Sequence, residues 1–353
     1  MTKNIAVLSG DGIGPEIMKE AIKVLNAIGK FNFIEALVGG AAYDKFQEHL
    51  PKETISVCEK SDAILFGSVG GPISEQDSPK WKNCERNSIL AIRKHFNFNI
   101  NLRPAKIYKE LKHICFLRPD IVDRGIDILC VRELSGDVYF GEHKIEGVRG
   151  QRVATDIMTY DEKTIEKVAH AAFKAAQTRR KKLHSVDKAN VLDTSRLWRE
   201  VVTKISVKYP DVAFENILVD NCSMQLIKRP YDFDVLLMPN LFGDILSDEA
   251  SVFAGSLGML PSASINSKFF GLYEPSAGSA PDIATQNIAN PIGQILSAAM
   301  MLKYSFGMNK EHDQIIAAVE KTLAKGHRTS DIATPSETHI STSEMGNLIT
   351  KNL

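Results

Sequence analysis

Apolar runs of seven or eight residues alternate with longer amphipathic stretches over most of the chain, and this rhythm limits the fold more than any other feature. Residues 4–10 (NIAVLSG), 62–68 (DAILFGS), 127–134 (DILCVREL), 182–188 (KLHSVDK) and 233–239 (FDVLLMP) read as buried strands. Between them, 15–29 (PEIMKEAIKVLNAIG, with Pro15 in the first turn), 88–96 (SILAIRKHF), 161–182 and 196–209 carry apolar positions at helical spacing. Strands separated by helices imply α/β layers around a mostly parallel sheet. A chain of 353 residues exceeds the size at which one core keeps growing, so two domains are expected. Residues 136–160 (GDVYFGEHKIEGVRGQRVATDIMTY) break the rhythm and read as an exposed β-ribbon that pairs with another subunit.

Charge and cysteine usage narrow the partners. Forty-three basic residues balance 43 acidic ones, which leaves no bulk attraction to nucleic acid or membrane. The five cysteines are odd in number and lack a C-x-x-C pair, arguing against a disulfide framework or a zinc knuckle. With no apolar leader and no run of 18 apolar residues, the expected location is cytoplasmic.

The glycines at 10, 12 and 14 (SGDGIGPEI) do not make a dinucleotide fingerprint, because the spacing is wrong and Pro15 stands where the third glycine belongs. A phosphate-binding P-loop is absent too, so phosphoryl transfer lacks its cradle. The motif reads as a strand-to-helix turn.

Other segments supply functional groups. Arg93, Arg103 and Arg132 are fork-shaped donors suited to a di-acid, with Tyr139 seven residues after the last. Taken singly, each arginine also fits a solvated surface position. Lys188 ends an apolar strand, where desolvation would lower its pKa toward a base's range, although taken alone it fits a surface lysine better. Asp244 and Asp248 lie four residues apart in PNLFGDILSDEAS, on one helix face, where like charges repel unless a cation intervenes. With Asp220, they offer oxygen ligands for Mg²⁺ or Mn²⁺; a helix-start carboxylate is the alternative reading of Asp244. Ile89 and Leu90, one turn before Arg93, together with Val191 fit either an apolar pocket or ordinary core.

The ordered motifs GDGIGPEI, GSVGGP, IRKHF, NLRPAK, VRELSGDVYFGE, SVDKANVL, FGDILSDEAS, GSLGMLPSAS and EPSAGSAPDIATQNIANP resemble the metal-dependent β-decarboxylating dehydrogenases, the isopropylmalate/isocitrate family, from residue 4 to beyond 300. The resemblance implies a two-domain α/β fold that is not Rossmann. One domain would be residues 1–98 plus 255–353 and the other 99–254, which carries a β-ribbon arm for dimerisation. It implies NAD⁺-dependent oxidative decarboxylation of (2R,3S)-3-isopropylmalate to 2-oxoisocaproate, in leucine biosynthesis, by a homodimer with shared active sites. Arg93, Arg103 and Arg132 would hold the substrate carboxylates, and Ile89, Leu90 and Val191 its isopropyl group. Tyr139 and Lys188 would be catalytic, the latter as Lys188 of the partner subunit. Asp244 and Asp248, with Asp220 of the partner subunit, would bind Mg²⁺ or Mn²⁺ and the ion would chelate the substrate. Glu85, Asn190, Gly278, Ser279, Ala280, Pro281, Asp282 and Asn290 would bind the cofactor. Asp282 would accept hydrogen bonds from the adenosine ribose and repel a 2′-phosphate, giving NAD⁺ over NADP⁺. Another 3-substituted malate (isocitrate, homoisocitrate, tartrate) and a catalytically silent regulatory homologue remain alternatives.

Overall fold

The computed structural model describes residues 2–353. They form two compact units: the described residues up to Asn97 with Tyr108–Phe116 and Ala254–Leu353, and Phe98–Ile107 with Leu117–Phe253. The strands in chain order are β1 (Lys3–Gly10), β2 (Phe31–Glu35), β3 (Ala63–Ser68), β4 (Ile100–Lys106), β5 (Asp127–Glu133), β6 (His143–Glu146), β7 (Val153–Asp156), β8 (Lys182–Asp187), β9 (Ala213–Leu218), β10 (Val235–Met238), β11 (Pro261–Ile265) and β12 (Gly271–Pro275).

In the first unit the strand order is β2-β1-β3-β12-β11, parallel except for the β11/β12 pair. β3 is buried at every residue, so it reads as an unbroken apolar run rather than an alternating one. Pro15 opens the helix Gly14–Ile28, whose Ile17, Met18, Ala21, Val24 and Leu25 face the core at helical spacing. The helix Ile292–Tyr304 is buried from Ile292 to Leu302, and apart from Gln294 and Ser297 that stretch is apolar on every face. Tyr108–Phe116 belongs to this unit, against the expected boundaries: Leu111 is buried, and the Glu110 carbonyl accepts from Arg328 Nη2 at 3.1 Å.

In the second unit the order is β4-β5-β10-β8-β9, with β4 antiparallel and the others parallel. The helix Glu162–Gln177 is capped by Asp161, which accepts from Thr164 N at 2.9 Å, and it stops five residues short of the expected span. It stops because Arg179 turns to bond Asp127 and Asp234, both at 2.8 Å, and Lys181 takes a positive φ of 57°. The helix Asp193–Ser206 buries Trp198, whose indole N–H donates to Ser185 Oγ at 3.0 Å. β6 and β7 form the separate antiparallel ribbon, in register from His143 opposite Asp156 to Glu146 opposite Val153. Ile145, Val148 and Val153 on it are more than three-fifths exposed.

Candidate functional site

Parallel strands deliver their functional groups at their carboxyl ends. Arg132 is the penultimate residue of β5, Lys188 follows β8, and the chain leaves β10 for the helix Asn240–Ser251, which carries Asp244 and Asp248. Leu246 and Ala250 anchor the buried side of that helix, leaving Asp244 partly and Asp248 fully open.

The two aspartates do not face each other uncompensated. Arg132 ion-pairs with Asp244, while Arg103 Nη1 meets Asp248 Oδ1 at 2.8 Å. Arg132 is buried and is held in place by Asn240 Oδ1, which accepts from Nε at 3.0 Å and from Nη2 at 2.8 Å. Arg103 is fixed by Asn101 at 2.9 Å and Ser247 at 3.0 Å. Gly243 permits this packing, because a Cβ there would lie 2.7 Å from Arg132 Cγ. Tyr139 donates its hydroxyl to Asp244 Oδ2 at 2.5 Å. Burial, then the Asp244 hydrogen bond and charge, push the phenol above its ordinary pKa and keep the proton on oxygen.

Lys188 departs from the sequence reading. Its ammonium lies 2.6 Å from Asp220 Oδ1, so it is an ion-paired group rather than an isolated lysine in apolar surroundings. The same contact holds the Asp220 carboxyl below the usual range. Among the described residues no three acidic, histidine or cysteine side chains converge into a metal-holding group, so one chain alone does not bring Asp220 to Asp244 and Asp248. The oxygen donors on the Asn240–Ser251 helix nonetheless suit a hard divalent cation, and each is now matched by a guanidinium.

In the first unit Arg93 pairs with Glu274 at 2.7 Å, and its Nε is buried with no hydrogen-bond partner. That spare donor is what a carboxylate ligand would satisfy. The segment before it, Arg86–Leu90, is a π-helical turn rather than regular helix, a feature often found at functional positions. Ile89 is buried, Leu90 is 45% exposed and, in the second unit, Val191 is 60% exposed. Ile89 is therefore core, and the other two are open to a ligand.

The 278–290 loop is anchored in the same unit. Ser279 O accepts from Ile13 N at 2.8 Å, and a Cβ on Gly12 would lie 1.9 Å from that oxygen. The glycine turn thus supports the loop. Ala280 and Ile283 pack on Ile13, Ile17 and Ala289, while Pro281 and Asp282 are exposed. Asn290 Oδ1 caps the Ile292–Tyr304 helix by accepting from Ile292 N at 3.0 Å, and its Nδ2 donates to Asp331 at 3.0 Å. Asn290 is thus already engaged within the chain. A Cβ on Gly70 would come within 4 Å of both Ser279 Oγ and Glu85 Oε1, so Glu85 stands near the loop; Gly278 has open space around it. Asn190 is exposed in the turn after Lys188.

Sequence reasoning missed the network under the cluster. Tyr160 Oη lies 3.2 Å from Glu133 and 3.3 Å from Asp137, and accepts from Asn240 N at 2.8 Å. Glu133 also accepts from Gly136 N at 2.8 Å, and Asp137 accepts from Leu241 N at 3.1 Å. Glu133 and Asp137 are buried and Tyr160 is half-buried, and together they fix the start of the helix that carries Asp244. The polar residues in ELSGD were visible, but nothing in their spacing paired them with Tyr160.

Fold and cluster together define a two-unit α/β dehydrogenase without the Rossmann fingerprint. The chain belongs to the isocitrate/isopropylmalate dehydrogenase family, whose profile matches residues 4–349. It is 56% identical to 3-isopropylmalate dehydrogenase of Haemophilus influenzae (strain 86-028NP) over 360 aligned residues, covering 99% of this chain and 98% of that protein. Against 3-isopropylmalate dehydrogenase of Mannheimia succiniciproducens the identity is 56% over 354 residues, covering 99% and 98%. Among solved structures, isocitrate dehydrogenase from Methylococcus capsulatus superposes with a TM-score of 0.87 at 32% identity, covering 99% of both chains. The enzyme is accordingly an oxidoreductase. Among the described residues no helix is long and apolar enough to cross a membrane.

Proposed function

We propose that this chain catalyses the NAD⁺-dependent oxidative decarboxylation of (2R,3S)-3-isopropylmalate to 2-oxoisocaproate and CO₂, the dehydrogenase step of leucine biosynthesis, as a cytoplasmic homodimer. The observation that carries the reading is the self-neutralised cluster: Arg132 with Asp244 and Tyr139, and Arg103 with Asp248. Asp244 and Asp248 would hold Mg²⁺ or Mn²⁺ and Arg132 and Arg103 would hold the carboxylates of a dianionic substrate, an exchange of partners that leaves the net charge of the set unchanged. When bound, the cation would supply Lewis-acid polarisation of the substrate oxygens and the nicotinamide would supply the hydride acceptor.

The protein's own groups do the rest. Arg93, Arg103 and Arg132 orient the two carboxylates. Lys188 takes the hydroxyl proton in its neutral form, after releasing the proton it carries as the ammonium paired with Asp220, and that pairing keeps base and ligand together for delivery to the partner's site. Tyr139, its proton held on oxygen, protonates the carbon that CO₂ leaves. Leu90 and Val191 offer apolar surface to the isopropyl group and nothing to pair a third carboxylate. Asp282 selects NAD⁺ over NADP⁺ by repelling a 2′-phosphate.

The test is NADH formation with isopropylmalate, isocitrate, malate and tartrate at equal concentrations. Isopropylmalate should have the highest kcat/KM. Comparable efficiency with isocitrate would overturn the substrate assignment and leave the chemistry intact.

A further inference from the structure

The 278–290 loop contains three non-glycine residues in the left-handed region: Ala280 at φ 39°, Thr285 at 65° and Asn287 at 60°. Asparagine tolerates that region, but threonine is β-branched and resists it. Such a conformation persists only where surrounding contacts over-determine it. Part of that hold is local, with Ile283 N donating to Ala280 O at 3.1 Å and Gln286 Nε2 to Asp282 O at 2.7 Å, and part comes from two helices outside the loop.

The first is the C-terminal helix Thr342–Asn352. Its first backbone donors are accounted for one by one. Thr342 N donates to Asn287 O at 2.9 Å, Ser343 N to Asn287 Oδ1 at 3.0 Å, Glu344 N to Ser341 Oγ at 3.3 Å and Met345 N to Ser341 O at 3.0 Å. Half of this cap is therefore Asn287, reached across 55 residues of chain from Thr342. Asn287 Nδ2 donates back to Ser343 Oγ at 3.1 Å, and Thr342 Oγ1 donates to Ala289 O at 2.6 Å. The second is the first turn of the helix Gly14–Ile28, where Glu16 Oε2 accepts from Asn287 N at 3.2 Å. The Thr285 N–H is directed at the same carboxylate. Two left-handed residues thus aim backbone donors at one anion, in the manner of a backbone nest.

We propose that Asn287 is a positioning residue for cofactor binding: through it, the C-terminal helix and Glu16 hold the 278–290 loop in the shape that receives the adenosine. This rests on the NAD⁺ assignment of the preceding section. Asn287 touches no reacting atom, so its removal should act on cofactor affinity far more than on turnover.

Three full-length proteins test it: wild type, Asn287→Gly and Asn287→Asp. Glycine keeps the left-handed backbone at no steric cost and removes only the side-chain latch. Aspartate keeps an acceptor for Ser343 N and suits a helix N-terminus. Hydrogen exchange without cofactor should rise across residues 280–290 in Asn287→Gly. The Kd and KM for NAD⁺ should rise about tenfold, as for the loss of one or two hydrogen bonds. The change in kcat should be smaller, and Asn287→Asp should stay close to wild type. Unchanged loop exchange in Asn287→Gly, or raised exchange with unaltered NAD⁺ affinity, overturns the proposal. If the wild type itself binds no NAD⁺, the preceding assignment has failed and takes this one with it.

Discussion

In the second unit Arg132, Arg103 and Lys188 each hold a carboxylate within hydrogen-bond reach, whereas in the first unit the 278–290 loop keeps its shape with backbone donors and left-handed residues. The charged cluster sits on a strand end and a helix whose far sides are buried, so its geometry is inherited from the sheet. The loop has no such platform and borrows rigidity from Glu16 and the C-terminal helix. The contrast is between a site that is costly to disrupt at any one side chain and a site whose cost is spread over many weak contacts. Substitutions should therefore act abruptly in the first case and gradually in the second.

The largest effect should come from Tyr139→Phe, which leaves the ring and removes the proton held against Asp244. General-acid groups contribute about 10²–10⁴-fold, so kcat should fall by that order with little change in the KM for substrate. Steady-state kinetics check this, and a loss below about threefold would remove Tyr139 from the chemistry.

Gly243→Ala should follow. The added methyl meets Arg132 Cγ at 2.7 Å and Cβ at 3.0 Å, so either the helix or the guanidinium must move. Overpacking of this kind costs about 1–3 kcal/mol, and a displaced Arg132 should lower kcat/KM by roughly ten- to a hundredfold. An unaffected kcat/KM would mean that Arg132 tolerates more freedom than its Asn240 clamp suggests.

A buried histidine extends the contrast to pH. His184 on β8 has its Nδ1 buried without a partner, and burial pushes the imidazole down to about 4 from its ordinary 6.5. The unfolded chain takes up this proton near 6.5 and the folded chain only near 4, so stability is full above about pH 6.5 and declines as pH falls toward 4. Between pH 7.5 and 5 the loss should be roughly 2 kcal/mol from this residue alone. Urea midpoints for wild type and His184→Leu measure it: the variant's stability should depend less steeply on pH across that window.

The two regions also differ in how far the sequence disclosed them. Alternating apolar runs located the buried strands, and the arginines and aspartates stood out because charges beside apolar runs need partners. Which charge meets which did not follow, since pairs such as Arg103 with Asp248 span 145 positions and depend on sheet order. Lys188 shows the same limit: its apolar strand was visible and its Asp220 partner was not. In the loop, the motif GSAPD was legible, but the left-handed conformations at Thr285 and Asn287 were hidden, because neither is the glycine that normally signals one. The π-helical turn at Arg86–Leu90 left no trace in a pattern that reads equally well as ordinary helix.

The smallest effect predicted is the sharpest probe of the loop's side of this comparison. Thr285 is exposed, so its side chain contributes little packing, and its left-handed backbone at φ 65° is unfavourable for a β-branched residue. Thr285→Gly relieves that strain but gives the unfolded chain more freedom, and the two terms oppose each other. Left-handed strain at a non-glycine residue costs about 1–2 kcal/mol, against about 0.5–1 kcal/mol for the added entropy, so the balance runs from near zero to a gain of roughly 1.5 kcal/mol. In a chain of this size the thermal midpoint should rise by about 1–2 °C. Combined with Asn287→Gly the gain should vanish, because the loop then has a freely rotating residue and no latch to hold it. Calorimetry on both single variants and the double variant forms a cycle whose interaction energy reads the coupling directly. Strict additivity would mean that Thr285 is held by its own immediate neighbours and that the latch at Asn287 acts on a separate part of the loop.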